Sequence, residues 1–413
     1  MADQRRLSVL FLSQRVPYPP TRGDKIITWR MVQRLHSQHD VTCLAFAHDE
    51  DDVVGARELR RFGIRIVTVP YRPFLGLIKS AYAMMSDRPL TTSFFGSRRM
   101  ASELKNRMRK ADLAIAFSSS MGSYLLDWPS VPRILHFCEL DSDKWRQYAN
   151  RTRPPMQWVY EREARVLEAL ERRLASEMNA NIVCTELERR VFVERIPNAA
   201  CTVMRNGVDL EYFSTDGLAP ERGHIVFTGV MNYLPNIDAC QWFAGSVLPR
   251  IVRRHPEARF SIVGSAPSSG VRRLTKDPRV TVTGRVPDTR PYLRRAAVVV
   301  APLRIARGIQ NKVLEGLAMG VPVVATSIAV QGVNGVSRRD YLVADDADAM
   351  AEEVGGLLAD DQARSALGAR GRAFVEANYN WDESLRTLDE LVFRATDGRN
   401  RDAARPIVTG SEA

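Results

Sequence analysis

Between Val298 and Thr326 the chain reads Val298-Val-Val-Ala-Pro302-Leu-Arg304-Ile-Ala-Arg307-Gly308-Ile309-Gln310-Asn311-Lys312-Val-Leu-Glu315-Gly-Leu-Ala-Met-Gly320-Val-Pro322-Val-Val-Ala-Thr326. A buried strand is expected to end at Pro302, a loop carrying Gly308 to follow, and a helix to open near Ile309. The unpaired N–H groups and positive dipole end of such a helix attract phosphate. Lys312 falls in its first turn, where the dipole repels a cation and a bound anion would relieve that repulsion. Glu315 lies one turn on, on nearly the same face, and a carboxylate there can accept two hydroxyl hydrogen bonds, as a ribose diol demands. The same spacing fits an exposed i,i+3 ion pair worth a few tenths of a kcal/mol. Spacing by itself leaves both readings open. Gly320-Val-Pro322 then ends the helix and starts the next strand.

Such a segment needs a sheet to hold it. Short apolar runs alternate with amphipathic stretches nearly throughout, the pattern of parallel α/β structure. First-half strands are expected at Leu7–Ser13, Val41–Phe46, Arg65–Pro70, Ala111–Ser118, Arg133–Glu139 and Ala180–Thr185, with helices at Asp24–His36, Arg98–Lys110 and Met156–Met178. After the short strand Cys201–Arg205 and the Gly- and Pro-containing loop Thr215–Gly223, the pattern restarts. Strands are then expected at His224–Thr228, Arg259–Val263, Arg279–Thr283, Val298–Ala301, Val323–Thr326 and Leu342–Val343, with helices at Ile237–Arg254, Thr289–Ala296 and Ile309–Met319. The fold class is α/β, with two Rossmann-like domains whose parallel sheets face a central cleft and ligands outside the carboxyl ends of the strands. The division is 1–205, an acceptor domain; 206–372, a donor domain; 373–398, a helix packing back on the first domain; and 399–413, a disordered tail.

Composition narrows the classes. The chain has 413 residues, 45% hydrophobic and 26% charged, which is ordinary for globular domains. No apolar run reaches the ~18 residues of a membrane span, and the run Val9–Leu12 lacks the length and cleavage site of a signal peptide. A cytoplasmic protein is therefore expected. The five cysteines are scattered, with no CxxC spacing, and read as reduced thiols rather than zinc or redox sites. The net charge of +11 favours anionic partners. Arg-rich segments such as Arg98-Arg99 and Lys105–Lys110 read either as a solvated basic surface or as the ground for peripheral contact of the first domain with anionic membrane. Without a basic stripe interleaved with aromatics, nucleic acid is not expected.

The Gly308–Glu315 segment resembles the donor signature of family 4 retaining glycosyltransferases, which have the GT-B fold. Further matches follow in that family's order. They are Ile182-Val-Cys-Thr185, Val203-Met-Arg-Asn206-Gly207-Val208-Asp209-Leu-Glu-Tyr-Phe213, Ile225-Val-Phe-Thr-Gly229, Arg259-Phe-Ser-Ile-Val-Gly264, Val280-Thr-Val-Thr-Gly284-Arg-Val-Pro-Asp288 and Tyr379-Asn-Trp381. In the first half Pro17-Tyr-Pro-Pro-Thr-Arg-Gly23-Asp24-Lys25 stands where the family has a glycine loop beside the acceptor cleft. That run, Asp141-Ser-Asp-Lys144-Trp145 and Gly308-Ile-Gln-Asn-Lys312 together resemble sugar transferases of exopolysaccharide systems linked to PEP-CTERM protein sorting.

The resemblance implies sugar transfer from a nucleotide diphosphate sugar, UDP- or GDP-linked, to a hydroxyl of a glycan or lipid-linked acceptor, with retention and no other cofactor or metal. Lys312, Glu315 and Asp141 are the expected catalytic residues. Gly229, Asn236, Arg304, Gly308, Ile309, Gln310, Asn311, Lys312 and Glu315 form the expected donor site. Gly23, Asp24, Lys25 and His136 are expected on the acceptor side. Two features depart from the family. Arg307 stands where many members have a first glutamate, and Gly229-Val-Met-Asn232-Tyr-Leu-Pro-Asn236 lacks their Arg and Lys. Arg304, Arg307 or Lys312 would then supply the missing charge. Two other functions fit the same segments: a nucleotide-sugar 2-epimerase, and a non-catalytic scaffold of a polysaccharide-assembly complex.

Three motifs have competing readings. Asp141-Ser-Asp143 has the spacing of a metal-binding carboxylate pair, of a hydroxyl contact, and, following a strand, of a helix N-cap at Asp141 or Ser142. His136 fits a site near the transferred sugar or a core histidine bonded to backbone. Gly264–Gly270 lacks the lysine of a P-loop and reads as a surface loop near the donor base.

Overall fold

The computed structural model describes residues 6–403 apart from 85, 151 and 218. Chain contacts divide it into two compact units, Met1–Arg205 with Ser384–Ala413, and Asn206–Glu383.

The first unit is built on a parallel sheet of β1 (Ser8–Ser13), β2 (Asp40–Ala47), β3 (Arg65–Pro70), β4 (Leu113–Phe117), β5 (Arg133–Cys138), β6 (Ala180–Val183) and β7 (Thr202–Val203), in the order β3-β2-β1-β4-β5-β6-β7. Every residue of β4 is buried. Such all-apolar runs are what a sheet covered by helices on both faces requires. The order reverses direction at β1, which lies between β2 and β4, and such a switch point is where open α/β sheets hold their ligands.

The second unit repeats the plan with β8 (His224–Thr228), β9 (Arg259–Val263), β10 (Val280–Val282), β11 (Val298–Ala301), β12 (Val323–Ala325) and β13 (Leu342–Val343), in the order β10-β9-β8-β11-β12-β13, all parallel. Its reversal falls at β8, between β9 and β11. Val299, Val323 and Leu317 belong to its apolar core. Gly316 would be a poor choice within an isolated helix. Here a Cβ would lie 3.0 Å from Val323 and 3.1 Å from Val299, so its absence lets the helix Asn311–Ala318 settle close on the sheet.

Several element bounds differ from the periodicity reading. β6 stops at Val183, because the Thr185 hydroxyl accepts from the Glu188 N–H and caps the helix Glu186–Arg195. The helix expected over Ile237–Arg254 begins at Leu234, and a π-helical turn, Phe243–Val247, separates its two α-helical parts. The single helix expected over 373–398 is two helices, Asp361–Asn378 and Trp381–Ala403. Between them Tyr379 is buried, its carbonyl accepts from Val208 N at 2.9 Å and its hydroxyl from Asn334 N at 3.1 Å. These bonds anchor the break to the Asn206-Gly207-Val208 turn. The tail expected to be disordered from 399 is helical to Ala403, and 404–413 lie outside the described residues.

Candidate functional site

In the second unit, chain reversal brings the carboxyl ends of β8 and β11 together. β8 runs into Gly229 and the turn to Asn236, and β11 into the loop that carries Gly308. Gly308 has φ +60, a left-handed conformation that glycine adopts without a Cβ clash. On the neighbouring strand end, a Cβ on Gly264 would meet the Gly229 carbonyl oxygen at 1.7 Å, so the β8 and β9 turns close only with glycine there. The loop after β11 is fixed from beneath. Thr326 donates its hydroxyl to the Leu303 carbonyl, and Gln331 Nε2 donates to Ala306 O at 2.9 Å.

The helix opens at Asn311, two residues later than its sequence indicates, with Gln310 at the cap position and Ile309 partly buried against the core. Gln310 Nε2 turns back to Arg307 O at 2.8 Å, and no side chain caps the helix start. Lys312, in the first turn, donates to Asn236 Oδ1 at 3.2 Å and to Gln310 Oε1 at 3.5 Å, and its ammonium lies 5.3 Å from the Phe227 ring centroid. These partners are neutral, and Glu315 is not among them. The exposed ion pair that the spacing allowed is therefore not what forms.

The electrostatics follow from this placement. Burial pushes the Lys312 ammonium down to about 8, against the opposing attraction of Glu315. Burial pushes the Glu315 carboxyl up to about 7, against the pull of Lys312. Two half-buried groups that titrate near neutrality, one turn apart beside an uncapped helix start, have the chemistry to hold an anion and a hydroxyl-bearing ligand.

Arg304 differs from expectation. Its guanidinium makes a two-point ion pair with Asp238, one bond at 3.0 Å, and lies 5.6 Å from the Trp242 ring. The carboxylate neutralises the charge that a diphosphate would otherwise recruit. Asn206 was not expected here. Its Nδ2 donates to Asn311 Oδ1 at 3.4 Å, which ties the Asn206-Gly207-Val208-Asp209 turn to the helix start. The motif was visible in sequence, but nothing local showed which element it would meet.

The first unit gathers polar groups at its own reversal. Gln14, after β1, donates to Ser120 Oγ at 2.7 Å, and Ser119 donates to Asp141 Oδ2 at 2.5 Å. Ser118, between β4 and these serines, has φ +83, which is unusual for a residue with a side chain. Asp141 also accepts from Lys144 Nζ at 2.5 Å. Burial disfavours its charge, but the Lys144 ammonium and the two hydrogen bonds outweigh that and hold the carboxyl below its ordinary range. Asp141 opens the helix Asp141–Ala149 without capping it. The capping expected of Asp141 or Ser142 is done by Glu171, from the helix Met156–Glu177, which accepts from Ser142 N at 3.2 Å and from the Ser142 hydroxyl.

Two residues expected on the acceptor side lie in the interior. Lys25 is buried, with its ammonium 2.6 Å from Asp52 Oδ1, and Asp52 is fully buried. The pair is internally neutralised. His136 is also fully buried, and its Nδ1 accepts from Cys138 N at 2.9 Å. Burial pushes its imidazole down to about 3, so it stays neutral in the sheet core. Gly23 and Asp24 open the helix Gly23–Gln38, and Asp24 lies 3.4 Å from Arg22 and 3.9 Å from Arg15. Among the described residues no three His, Cys, Asp or Glu side chains are placed to share a metal ion. The cysteines are free thiols, with Cys138 and Cys184 sulfurs 3.9 Å apart.

Two Rossmann-like parallel sheets, each with its polar cluster at the point of reversal, define the GT-B fold. Sucrose-phosphate synthase from Thermosynechococcus elongatus matches with a TM-score of 0.71 over 97% of this chain and 100% of that chain, at 16% identity. Anabaena HepE in complex with UDP-glucose matches with a TM-score of 0.65 over 94% of this chain and 99% of that chain, at 13% identity. At such identities the likeness is one of fold.

Residues 222–360 match the family described as Glycosyl transferases group 1. A GDP-mannose-dependent monoacylated alpha-(1-6)-phosphatidylinositol monomannoside mannosyltransferase of Corynebacterium glutamicum is 33% identical over 153 residues, 33% of this chain and 39% of the relative. A phosphatidyl-myo-inositol mannosyltransferase of Mycolicibacterium smegmatis is 31% identical over 186 residues, 43% of this chain and 47% of the relative. The chain thus spans less than half the length of these curated relatives.

Proposed function

We propose that this protein is a glycosyltransferase that moves a sugar from a nucleoside diphosphate sugar to an acceptor hydroxyl, with retention of anomeric configuration. The observation that carries the reading is the junction of Lys312, Asn236 and Glu315 at the β8–β11 reversal. The matched family segment contains all three residues. Lys312 and the N–H groups at Asn311 bind the diphosphate and stabilise the negative charge that grows on it as the sugar departs. Glu315 accepts from the ribose hydroxyls. Gly229 and Gly308 let phosphate approach the backbone, while Ile309 and Gln310 shape the loop. Arg304 acts indirectly by holding Asp238. Retention follows the resemblance to family 4.

In the first unit, Asp141 with Ser119 and Lys144 forms the acceptor-side polar cluster, with Gly23 and Asp24 on a nearby helix start. The curated relatives are named for phosphatidyl-myo-inositol and a phosphatidylinositol monomannoside, which favours a lipid-linked or glycan acceptor in the synthesis of cell-surface glycan, exopolysaccharide included. No helix among the described residues is long and apolar enough to cross a membrane. Approach to such an acceptor, on the cytoplasmic face, then falls to the basic surface of the first unit.

The test is nucleotide release from GDP-mannose and UDP-glucose, with and without a polyprenyl-phosphate-linked sugar acceptor. Acceptor-dependent release that is lost in Lys312→Ala and Glu315→Ala, with circular dichroism unchanged, is expected. Epimerised donor without nucleotide release would replace transfer by epimerisation. Failure to bind either donor in calorimetry would leave a scaffold.

A further inference from the structure

Ligands of an open α/β sheet lie outside the carboxyl ends of its strands, yet the first unit has a cavity of about 630 Å³ at the opposite end. It opens where β1, β2 and β3 begin. There Leu10, Thr42 and Arg65 stand side by side across three strands in register. From Leu10 in this row the strand runs toward Gln14, which bonds Ser120 beside the Ser119–Asp141 cluster, roughly 13 Å away at strand rise. The volume is that of a small-molecule site.

Its lining is two-sided. Leu10 and Ile66 supply buried apolar floor. Four cations line it: Arg60 near the end of the helix Glu50–Arg61, Arg65 at the start of β3, Arg107 near the end of the helix Arg98–Met108, and Lys110 just past that end. One carboxylate is present, and Glu103 spends it on Arg107 at 2.6 Å. Arg60 donates to the Ile66 carbonyl at 3.3 Å. Arg65 and Lys110 are exposed and take part in no ion pair among the described residues. Cations at a helix end gain from its dipole. That accounts for Arg60 and Arg107 but gives no reason for Arg65, on a strand, to converge with them.

We propose that this cavity is a second binding site of the protein and that it takes a phosphate-bearing anion. Guanidinium groups grip phosphate through paired hydrogen bonds, and Lys110 adds a point charge. The apolar floor accommodates the glycerol or carbon backbone that carries the phosphate. A phospholipid headgroup and a soluble phosphorylated metabolite present this same chemistry. The site deepens the basic-surface part of the function proposed above and is independent of the donor site.

The experiment uses the full chain, wild type and Arg65→Glu/Lys110→Glu, against two probes. Flotation measures binding to vesicles of phosphatidylglycerol in phosphatidylcholine at low salt, and calorimetry measures binding of inorganic pyrophosphate. Arg272→Glu/Arg273→Glu, the same charge change on exposed residues of the other unit, is the control. The expected result is that the cavity variant loses roughly tenfold or more in affinity while the control and donor-dependent nucleotide release hold. Loss confined to vesicles identifies a lipid headgroup, and loss confined to pyrophosphate a soluble ligand. Wild-type binding to neither probe, or an equal loss in variant and control, overturns the site. Absence of acceptor-dependent nucleotide release in the wild type, with cavity binding present, would instead overturn the function proposed above.

Discussion

The Lys312 ammonium donates to Asn236 Oδ1 at 3.2 Å, which joins the first turn of the helix after β11 to the turn after β8. Asn236 in turn donates from Nδ2 to Val230 O at 2.9 Å. A neutral acceptor aims the cation without quenching its charge, which leaves that charge for an incoming anion apart from the pull of Glu315. Arg304 shows the contrast, because its partner Asp238 is charged.

Removing the cation and removing its guide should therefore differ. Lys312→Ala is expected to lower kcat by about 100-fold or more, as loss of a charge-stabilising donor does. Asn236→Ala should weaken donor binding by about tenfold or less, the worth of one hydrogen bond. Steady-state kinetics with a saturating acceptor, alongside thermal unfolding, separate the two. Equal effects would mean that Asn236 itself touches the donor.

Donor affinity should peak between pH 7 and pH 8. Diphosphate is held by protonated Lys312, so affinity falls as pH rises through about 8. The ribose diol donates to ionised Glu315, so affinity falls as pH drops through about 7. Calorimetric Kd values across this range check both limbs. Lys312→Arg, which keeps its charge throughout, should flatten the upper limb alone.

Glu171 should make the protein more stable in mild acid than in mild base. Burial, with the Asp141 charge beside it, pushes its carboxyl up to about 8 despite the Ser142 hydrogen bonds. Between the ordinary carboxyl value, near 4.5, and about 8, the folded state holds a proton that the unfolded state has released. Its contribution is full below the ordinary value and is lost as pH rises through about 8. The Tm advantage of wild type over Glu171→Gln should shrink between pH 6 and pH 9. An advantage that stays constant across that range would show that the carboxyl is already ionised in the fold at pH 6.

The buried pair Lys25–Asp52 should act on stability rather than on acceptor binding. Lys25→Met takes the nearer cation from the buried Asp52 carboxylate, leaving Arg15 at 3.8 Å and the His48 N–H, and should cost about 3 kcal/mol in denaturant unfolding. Adding Asp52→Asn should recover most of that loss. An unchanged stability with a raised acceptor KM would return Lys25 to the acceptor side.

Gly308→Ala forces a Cβ into a left-handed conformation, with an expected cost of about 1–2 kcal/mol. The damage should concentrate in the donor KM, because the loop presents the helix start. Gly284→Ala, also at positive φ and with open space around it, serves as the comparison and should leave donor KM unchanged.

The sequence by itself determined the two α/β units and nearly every strand, and it singled out the segment Gly308–Glu315 as a candidate place for an anion and a diol. Those properties are local. Alternating apolar and amphipathic runs, a glycine where φ is positive, and a lysine and glutamate one turn apart can be read within a few residues. Even so, the helix start moved from Ile309 to Asn311, because its boundary depends on how Gln310 folds back to Arg307.

What only the tertiary structure decided was which distant groups meet. Asn236 reaches Lys312 across 76 residues, Ser119 reaches Asp141 across 22, and Glu171 reaches Ser142 across 29. Strand order set the first two meetings, and no local pattern reveals that β11 lies beside β8. Burial was equally hidden. Lys25 was expected on the acceptor side because polar side chains usually face water, but it pairs with Asp52 in the interior. His136, which the sequence left open between a sugar-side and a core reading, is buried with its Nδ1 accepting from the Cys138 N–H. Whether a polar residue serves a ligand or the core depends on partners that the chain brings from elsewhere.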